Sequence, residues 1–203
     1  MFGPVLRGKL VTLRRPRPDE AKVFIDCLAD PEISRYMPRR MPPALHEEEE
    51  FLKRMAEERN GVFWAIEADG RAVGWAGIYG IDWISANGTT GILVGDRSYW
   101  RRGVATEAMR LRTRFAFREL NPHKLRSFVV ADKVASRRGS NRPATAPPAV
   151  HEEHWSEGGW HDAWIGEVLR SDWERKHERD SLSTAIHSAP TCCPQSRAVT
   201  LAP

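Results

Sequence analysis

Apolar and polar residues alternate in two patterns along this chain, and their order predicts the architecture. Lys9 to Arg14 (KLVTLR) alternates as an opening strand. Asp19 to Leu28 and His46 to Arg59 carry apolar residues at helical spacing, joined by a proline-rich stretch around Pro38, Pro42 and Pro43. Two strand-like runs follow, Val62 to Glu67 (VFWAIE) and Arg71 to Tyr79 (RAVGWAGIY). They are parted by Ala68-Asp69-Gly70, which predicts a hairpin. Beyond a loop at Ser85 to Gly88 comes Gly91 to Asp96 (GILVGD), a short strand closed by Gly-Asp. Val104, Ala108, Leu111, Phe115 and Ala116 then recur at helical spacing, with Arg110, Arg112, Arg114 and Arg118 between them. This predicts a long helix from Gly103 to Glu119, ahead of a strand at Lys124 to Val130. The expected order is strand, two helices, antiparallel meander, helix, strand.

The junction before the long helix reads YWRRGVATEA, Tyr99 to Ala108. The first amides of a helix lack internal partners and sit at the positive end of its dipole, so they hold an anion through main-chain groups alone. Gly103 presents no Cβ to an approaching ligand, Ala105 and Thr106 keep the first turn slim, and Arg101 and Arg102 add charge. The segment therefore suits a phosphate or pyrophosphate. A surface loop whose arginines solvate a helix end would read the same way. Neither GxxxxGK[ST] nor GxGxxG occurs here.

Composition narrows the class. At 203 residues and 41% hydrophobic content, the chain suffices for one domain with a substantial core. Nothing after Met1 resembles a signal peptide and no apolar run approaches a membrane span, so a soluble cytoplasmic protein with no membrane partner is expected. The three cysteines, Cys27 and the neighbours Cys192 and Cys193, make neither a disulfide framework nor a zinc spacing. Net charge is only +4, but Arg97 to Arg142 holds thirteen Lys and Arg against Glu107, Glu119 and Asp132, while His46 to Glu50 reads HEEEE. The first region favours an anionic ligand and the second a cationic acceptor. Nucleic-acid binding is not expected, since a phosphate-rich cofactor and helix solvation account for the arginines. His151, His154, His161 and Asp162 lack the HExxH spacing, so no metal is expected and a structural role is. The tryptophans, among them Trp64, Trp75, Trp83, Trp155, Trp160 and Trp164, read as core or edge packing.

WAIEADGRAVGWAGIYGID followed by GILVGDRSYWRRGVATEAMRLRTRFAFRELNPHKLRSFVVAD resembles the GNAT acetyltransferases, most closely the branch of Rim-type ribosomal-protein N-acetyltransferases. Their motif [QR]-x-x-G-x-[GA] falls on Trp100 to Ala105, with Trp100 where Gln or Arg is usual. The resemblance spans about Val5 to Arg138 and resumes at Glu152 to Glu174, similar to the family's closing hairpin. It implies the α/β GNAT acyl-CoA N-acyltransferase fold, a mixed central sheet flanked by helices. It also implies acetyl-CoA as co-substrate and transfer of an acetyl group to a primary amine, on a small molecule or a protein N-terminus. By the same resemblance Arg101, Arg102, Gly103, Val104, Ala105 and Thr106 would bind the CoA pyrophosphate. Ile92, Leu93 and Val94 would pair with pantetheine like an added strand, beside neighbouring strands that splay, and an amide near Val94 would face the oxyanion. The catalytic acid and base are unassigned. Glu67, Asp82 and Glu47 to Glu50 qualify only by charge. A tyrosine that some members use to protonate the thiolate has no evident counterpart among Tyr36, Tyr79 and Tyr99.

After Val130 the family's usual ADN-x-A-S-R-R and helix give way to ADKVASRR and then GSNRPATAPPAV. Gly139 to Val150 lacks periodicity and is expected to be irregular, and the family pattern returns in register at Glu152. A break with no change of length is what two compensating frameshifts leave. An earlier-by-one-base reading from Gly139 permits Ile-Glu-Ser/Pro-Ala-Gly-Tyr-Arg, close to the family's sequence. A divergent loop in a competent enzyme is the other account. The expected organisation is one domain over residues 1–176 and a disordered tail over 177–203. The alternative to an active enzyme is a catalytically impaired GNAT-like module that binds CoA or a partner without turnover.

Overall fold

Residues 1–37, 39, 41–130 and 150–177 are described in a computed structural model. The chain divides into two units, Met1–Arg170 and Ser171–Pro203. In the first, β1 (Leu6–Arg7) and β2 (Thr12–Arg14) precede α1 (Ala21–Ala29), the short α2 (Pro31–Ser34) and α3 (Leu45–Glu57). Then come β3 (Val62–Ala68), β4 (Arg71–Asp82), β5 (Asn87–Val94), α4 (Val104–Phe115), β6 (Lys124–Val130), β7 (Val150–Ser156) and β8 (Gly159–Leu169). Of the second unit, residues 171–177 are helical, with Arg175 paired to Asp172.

Eight strands form one sheet in the order β1-β2-β3-β4-β5-β6-β8-β7. Every pairing is antiparallel except β5 with β6, and parallel neighbours require a crossover, which α4 supplies. Trp64 of β3 pairs with Ala76 of β4, so Trp75 next to it must point to the opposite face. Each tryptophan anchors a helix: Trp64 meets Phe115 of α4 edge-on at 5.5 Å, and Trp75 meets Phe24 of α1 at 5.6 Å. Helices thus cover both faces, and β3, between β2 and β4, is buried along nearly its whole length.

Several boundaries differ from expectation for local reasons. Lys9 to Val11 are not strand: Gly8 N–H closes a turn on the Val11 carbonyl at 2.8 Å, and the next amides are claimed by a side chain of α4. The long helix changes to a π turn at Ala116–Leu120 and ends at Asn121, whose left-handed backbone (φ 56°) and following Pro122 stop it. Arg112, placed by the sequence among polar positions, is instead buried. It belongs to the i, i+4 stripe Val104-Ala108-Arg112-Ala116 that faces the sheet. Val150, expected to be irregular, opens β7 by pairing with Ala163, and His177, expected at the head of the tail, is helical. Residues 139–149 and 178–203 lie outside the described residues.

Arg14 joins three elements. Its guanidinium donates to Glu67 of β3 at 2.5 Å and to both carboxylate oxygens of Glu20 at 2.5 and 3.0 Å, and Arg17 N–H adds a bond to Glu20 at 2.8 Å. Burial alone would push the Glu20 carboxyl up. The Arg14 contacts and the Arg17 amide outweigh it and hold the carboxyl below its ordinary value. Among the described residues no helix is long and apolar enough to cross a membrane.

Candidate active site

The parallel pairing of β5 with β6 starts at Asn87↔Lys124 and ends at Thr90↔Ser127. Past that point the strands part. β6 continues against β8 to Val130↔Ala163, while β5 continues against β4 to Val94↔Gly74. From Gly91 to Val94 the far side of β5 therefore has no strand partner among the described residues, which leaves a V-shaped opening bordered by Ile92, Leu93 and Val94. An extended chain laid along such an edge can complete its hydrogen bonds as an added strand.

The mouth of this opening leads to the basic turn. Asp96 accepts from Ser98 N–H at 2.9 Å and starts a 3-10 turn, Arg97–Tyr99. Arg101 (φ 60°) and Gly103 (φ 84°) both take left-handed backbone, which reverses the chain into α4. Glu107 N–H donates to the Gly103 carbonyl at 2.9 Å as the first helical bond. The amides of Val104, Ala105 and Thr106 thus belong to the first turn, where no intrahelical acceptor exists. Arg101, Arg102, Gly103 and Thr106 are exposed, Ala105 is half-buried and Val104 is buried. A donor-rich turn with an exposed glycine and two arginines fits a pyrophosphate.

Trp100 explains its place in the motif. Its indole Nε1 donates to the Val94 carbonyl at 2.8 Å, tying the turn to the end of β5. A long side chain ending in a donor is what that geometry needs, and an indole meets it as a glutamine or arginine would. The Arg97 guanidinium lies 5.7 Å from the Trp100 ring and pairs with Asp30 and Glu32 at 2.6 and 2.7 Å, so the turn is also held to α2 and its cap.

Glu107 has a role that no motif announces. Its carboxylate accepts from the amides of Lys9, Leu10 and Val11 at 2.9, 2.6 and 2.9 Å. Leu10 is thereby set over Gly103, where an added Cβ would meet Leu10 Cδ1 at 3.3 Å. Partial burial pushes the Glu107 carboxyl up, but the three backbone donors outweigh it and hold the group below its ordinary value. Glu107→Ala is expected to cost about 1–2 kcal/mol, because the carboxylate is only half-buried and water replaces part of what is lost. Amide hydrogen exchange at Lys9 to Val11 should accelerate before exchange elsewhere, and uniform acceleration across the sheet would contradict a local clamp.

Most carboxylates singled out by charge are occupied structurally. Glu67 is bound by Arg14, Asp82 accepts from the Ile84 and Ser85 amides at 2.9 Å each, and Glu47 accepts from Ala44 N–H at 2.8 Å and from Arg39 at 2.9 Å. Glu49 and Glu50 are exposed, whereas Glu48 is buried and its carboxyl is pushed up by that burial. Tyr99 donates its hydroxyl to Asp69 at 3.0 Å, and Tyr36 lies beneath the Arg35 guanidinium. Tyr79 alone lies beside the divergence of the strands, with its ring across Gly77 and Gly91. Of the histidines, His154 Nε2 lies 2.7 Å from the Arg35 carbonyl, His161 Nε2 lies 3.0 Å from the Ser156 carbonyl, and His151 faces Asp162. No group of three or more potential metal ligands occurs among the described residues.

A basic strand-to-helix turn beside a parted parallel pair, in a mixed sheet flanked by helices, is the arrangement of the GNAT fold, and the comparisons agree on the fold. The profile of the acetyltransferase (GNAT) domain matches residues 11–142, so the chain belongs to the GNAT acetyltransferases. Among solved structures it is similar to spermidine N-acetyltransferase from Vibrio cholerae in complex with CoA and spermine, with TM-score 0.74 and 16% identity over 82% of this chain and 99% of that one. It is also similar to a GNAT-family acetyltransferase from Bacillus anthracis, with TM-score 0.67 and 12% identity over 82% and 99%. At these identities the likeness is one of fold. No curated protein matches the sequence. The Rim-type branch is not distinguished by these likenesses, and the spermidine acetyltransferases among them form a different branch.

Proposed function

We propose that this protein is an acetyl-CoA-dependent N-acetyltransferase acting on a primary amine. The observation that carries the proposal is the end of the β5–β6 ladder at Thr90↔Ser127, which opens the edge of Ile92, Leu93 and Val94 just ahead of the loop that leads to the Gly103 helix start. The amides of Arg102 to Thr106, with Arg101 and Arg102, would hold the pyrophosphate, and Ile92 to Val94 would pair with pantetheine. Bound there, acetyl-CoA supplies the acyl group for direct transfer to the amine. The protein's part is to orient the thioester in the opening and to offer a main-chain amide near Val94 to the oxyanion.

The acceptor class follows from charge. The exposed Glu49 and Glu50 of α3 favour a cationic amine, which makes polyamines and basic protein N-termini the first candidates. Calorimetry with CoA, then thiol release from acetyl-CoA over a panel of polyamines, aminoglycosides and N-terminal peptides, tests the proposal. CoA binding with no thiol release for any amine would leave the impaired module in its place. That second reading draws on the sequence of residues 139–150, which two compensating frameshifts would account for. The nucleotide sequence from Asp132 to Glu152 tests this directly, since an unshifted reading with no family-like alternative frame removes it.

A further inference from the structure

One charged side chain in the sheet-facing stripe of α4 has no place in the scheme above. Arg112 is 4% exposed, and its Nη1 donates to the Gly91 carbonyl at 2.7 Å. Gly91 is the first residue of β5 beyond the last β5–β6 pair, so the guanidinium sits where the strands part. Its Nε is buried with no partner, and no carboxylate pairs with Arg112 among the described residues. A buried cation without a counter-charge is costly, and proteins keep such groups where a ligand's negative charge completes them.

The Tyr79 side chain of β4 reaches the same residue, Gly91, whose carbonyl Arg112 holds. Gly77 and Gly91 face each other across the β4–β5 ladder, and neither has a side chain to displace the Tyr79 ring. A Cβ added at Gly91 would come within 2.8 Å of Tyr79 Cε2, and one at Gly77 within 2.9 Å of the hydroxyl. A phenolic hydroxyl carries a proton that it can donate.

We propose that Arg112 and Tyr79 receive the departing CoA sulfur as a thiolate, Arg112 by its fixed charge and Tyr79 by a hydrogen bond, without transferring a proton to it. This rests on the acetyl-CoA reading, in which the thioester reaches the vertex that Gly91 marks. As the amine nitrogen bonds to the acyl carbon, the C–S bond breaks with its electron pair going to sulfur. The amine's surplus proton passes to solvent, and the thiolate is neutralised by solvent on release, so the products are amide and thiol. Burial pushes the Tyr79 hydroxyl up to about 12, whereas an ordinary thiol lies near 8.5. Protonation of sulfur by Tyr79 thus runs uphill, while a hydrogen bond does not. Arg112, lowered by burial to about 10, keeps its charge at neutral pH.

The test reads the thiol itself. Titrating bound CoA by thiolate ultraviolet absorbance should place its pKa about 1–2 below that of free CoA in the unaltered protein. In Arg112→Met it should return to the free value, and in Tyr79→Phe it should fall between. Arg112→Lys should recover part of the shift. The thioether S-methyl-CoA, which cannot ionise, should bind all four proteins within about twofold by calorimetry, and kcat for acetyl transfer should drop about 10–100-fold in Arg112→Met with KM for acetyl-CoA held. An unchanged thiol pKa in Arg112→Met overturns the proposal, as does equal loss of CoA and S-methyl-CoA affinity, which would make the residue merely structural. Failure of the unaltered protein to bind either ligand overturns the acetyl-CoA reading first, and this proposal with it.

Discussion

Gly103→Glu is expected to abolish CoA binding in a chain that still folds. The residue is exposed, and its left-handed backbone (φ 84°) costs a side chain about 1–2 kcal/mol. Arg101 already adopts φ 60° in the same turn, so the turn tolerates a non-glycine residue. The new Cβ meets only the mobile end of Leu10, at 3.3 Å. The carboxylate, however, lies where the first-turn amides of α4 converge. It satisfies the donors a pyrophosphate requires and repels the ligand's charge. Gly103→Ala carries the backbone cost without the charge and should keep CoA affinity within about tenfold, a difference of about 1.4 kcal/mol. Calorimetry with a thermal melt of each variant separates the effects. Wild-type affinity in Gly103→Glu would remove the turn from the binding site.

Arg14→Met is expected to be the most destabilising single change at a polar position, by roughly 3 kcal/mol, the low end for breaking a buried ion pair because Glu67 keeps some solvent contact. It leaves Glu20 buried beside Glu67, with the more exposed Arg17, 3.6 Å from Glu67, as the remaining cation. The pH dependence carries a definite sign. In the unaltered protein the Glu20 carboxyl is depressed, so its contribution is full above its unfolded value and disappears as pH falls through the folded value. Without Arg14, burial dominates and raises that carboxyl, so acid relieves the variant by protonating it. Urea unfolding at pH 7 and pH 4 should therefore show a smaller gap between the two proteins at pH 4. A gap that widens in acid would mean that Arg14 acts through packing.

The hairpin, the strand before the basic turn and Lys124–Val130 were legible because each depends on neighbours in sequence: a two-residue turn at Asp69-Gly70, β-branched runs and the Gly95-Asp96 stop. The parting of β5 from β6 was reached only through family resemblance, since where a parallel ladder ends depends on residues about 37 apart, as Thr90 and Ser127 are. Arg112 shows a different limit. Its helical spacing from Val104 and Ala108 was visible, but its charge argued for the solvent side, and only packing against Gly91 decides otherwise. Glu67 qualified as a candidate only by its charge, and Arg14 opposite it gives it a structural place; Glu107 had no assigned role, and its three partners are amides of another element.

Those three amides lie 96 to 98 residues before the carboxylate that receives them. In kinetic terms, the roof over the basic turn is among the last contacts the chain can make, because closing so long a loop exacts its entropy before the bonds form. A nascent chain that has emerged only as far as α3 holds Lys9, Leu10 and Val11 with no acceptor from α4. The opening turn and the helix start therefore mature in one step, and substitutions at Glu107 should slow refolding of the amides at residues 9–11 in step with those of α4.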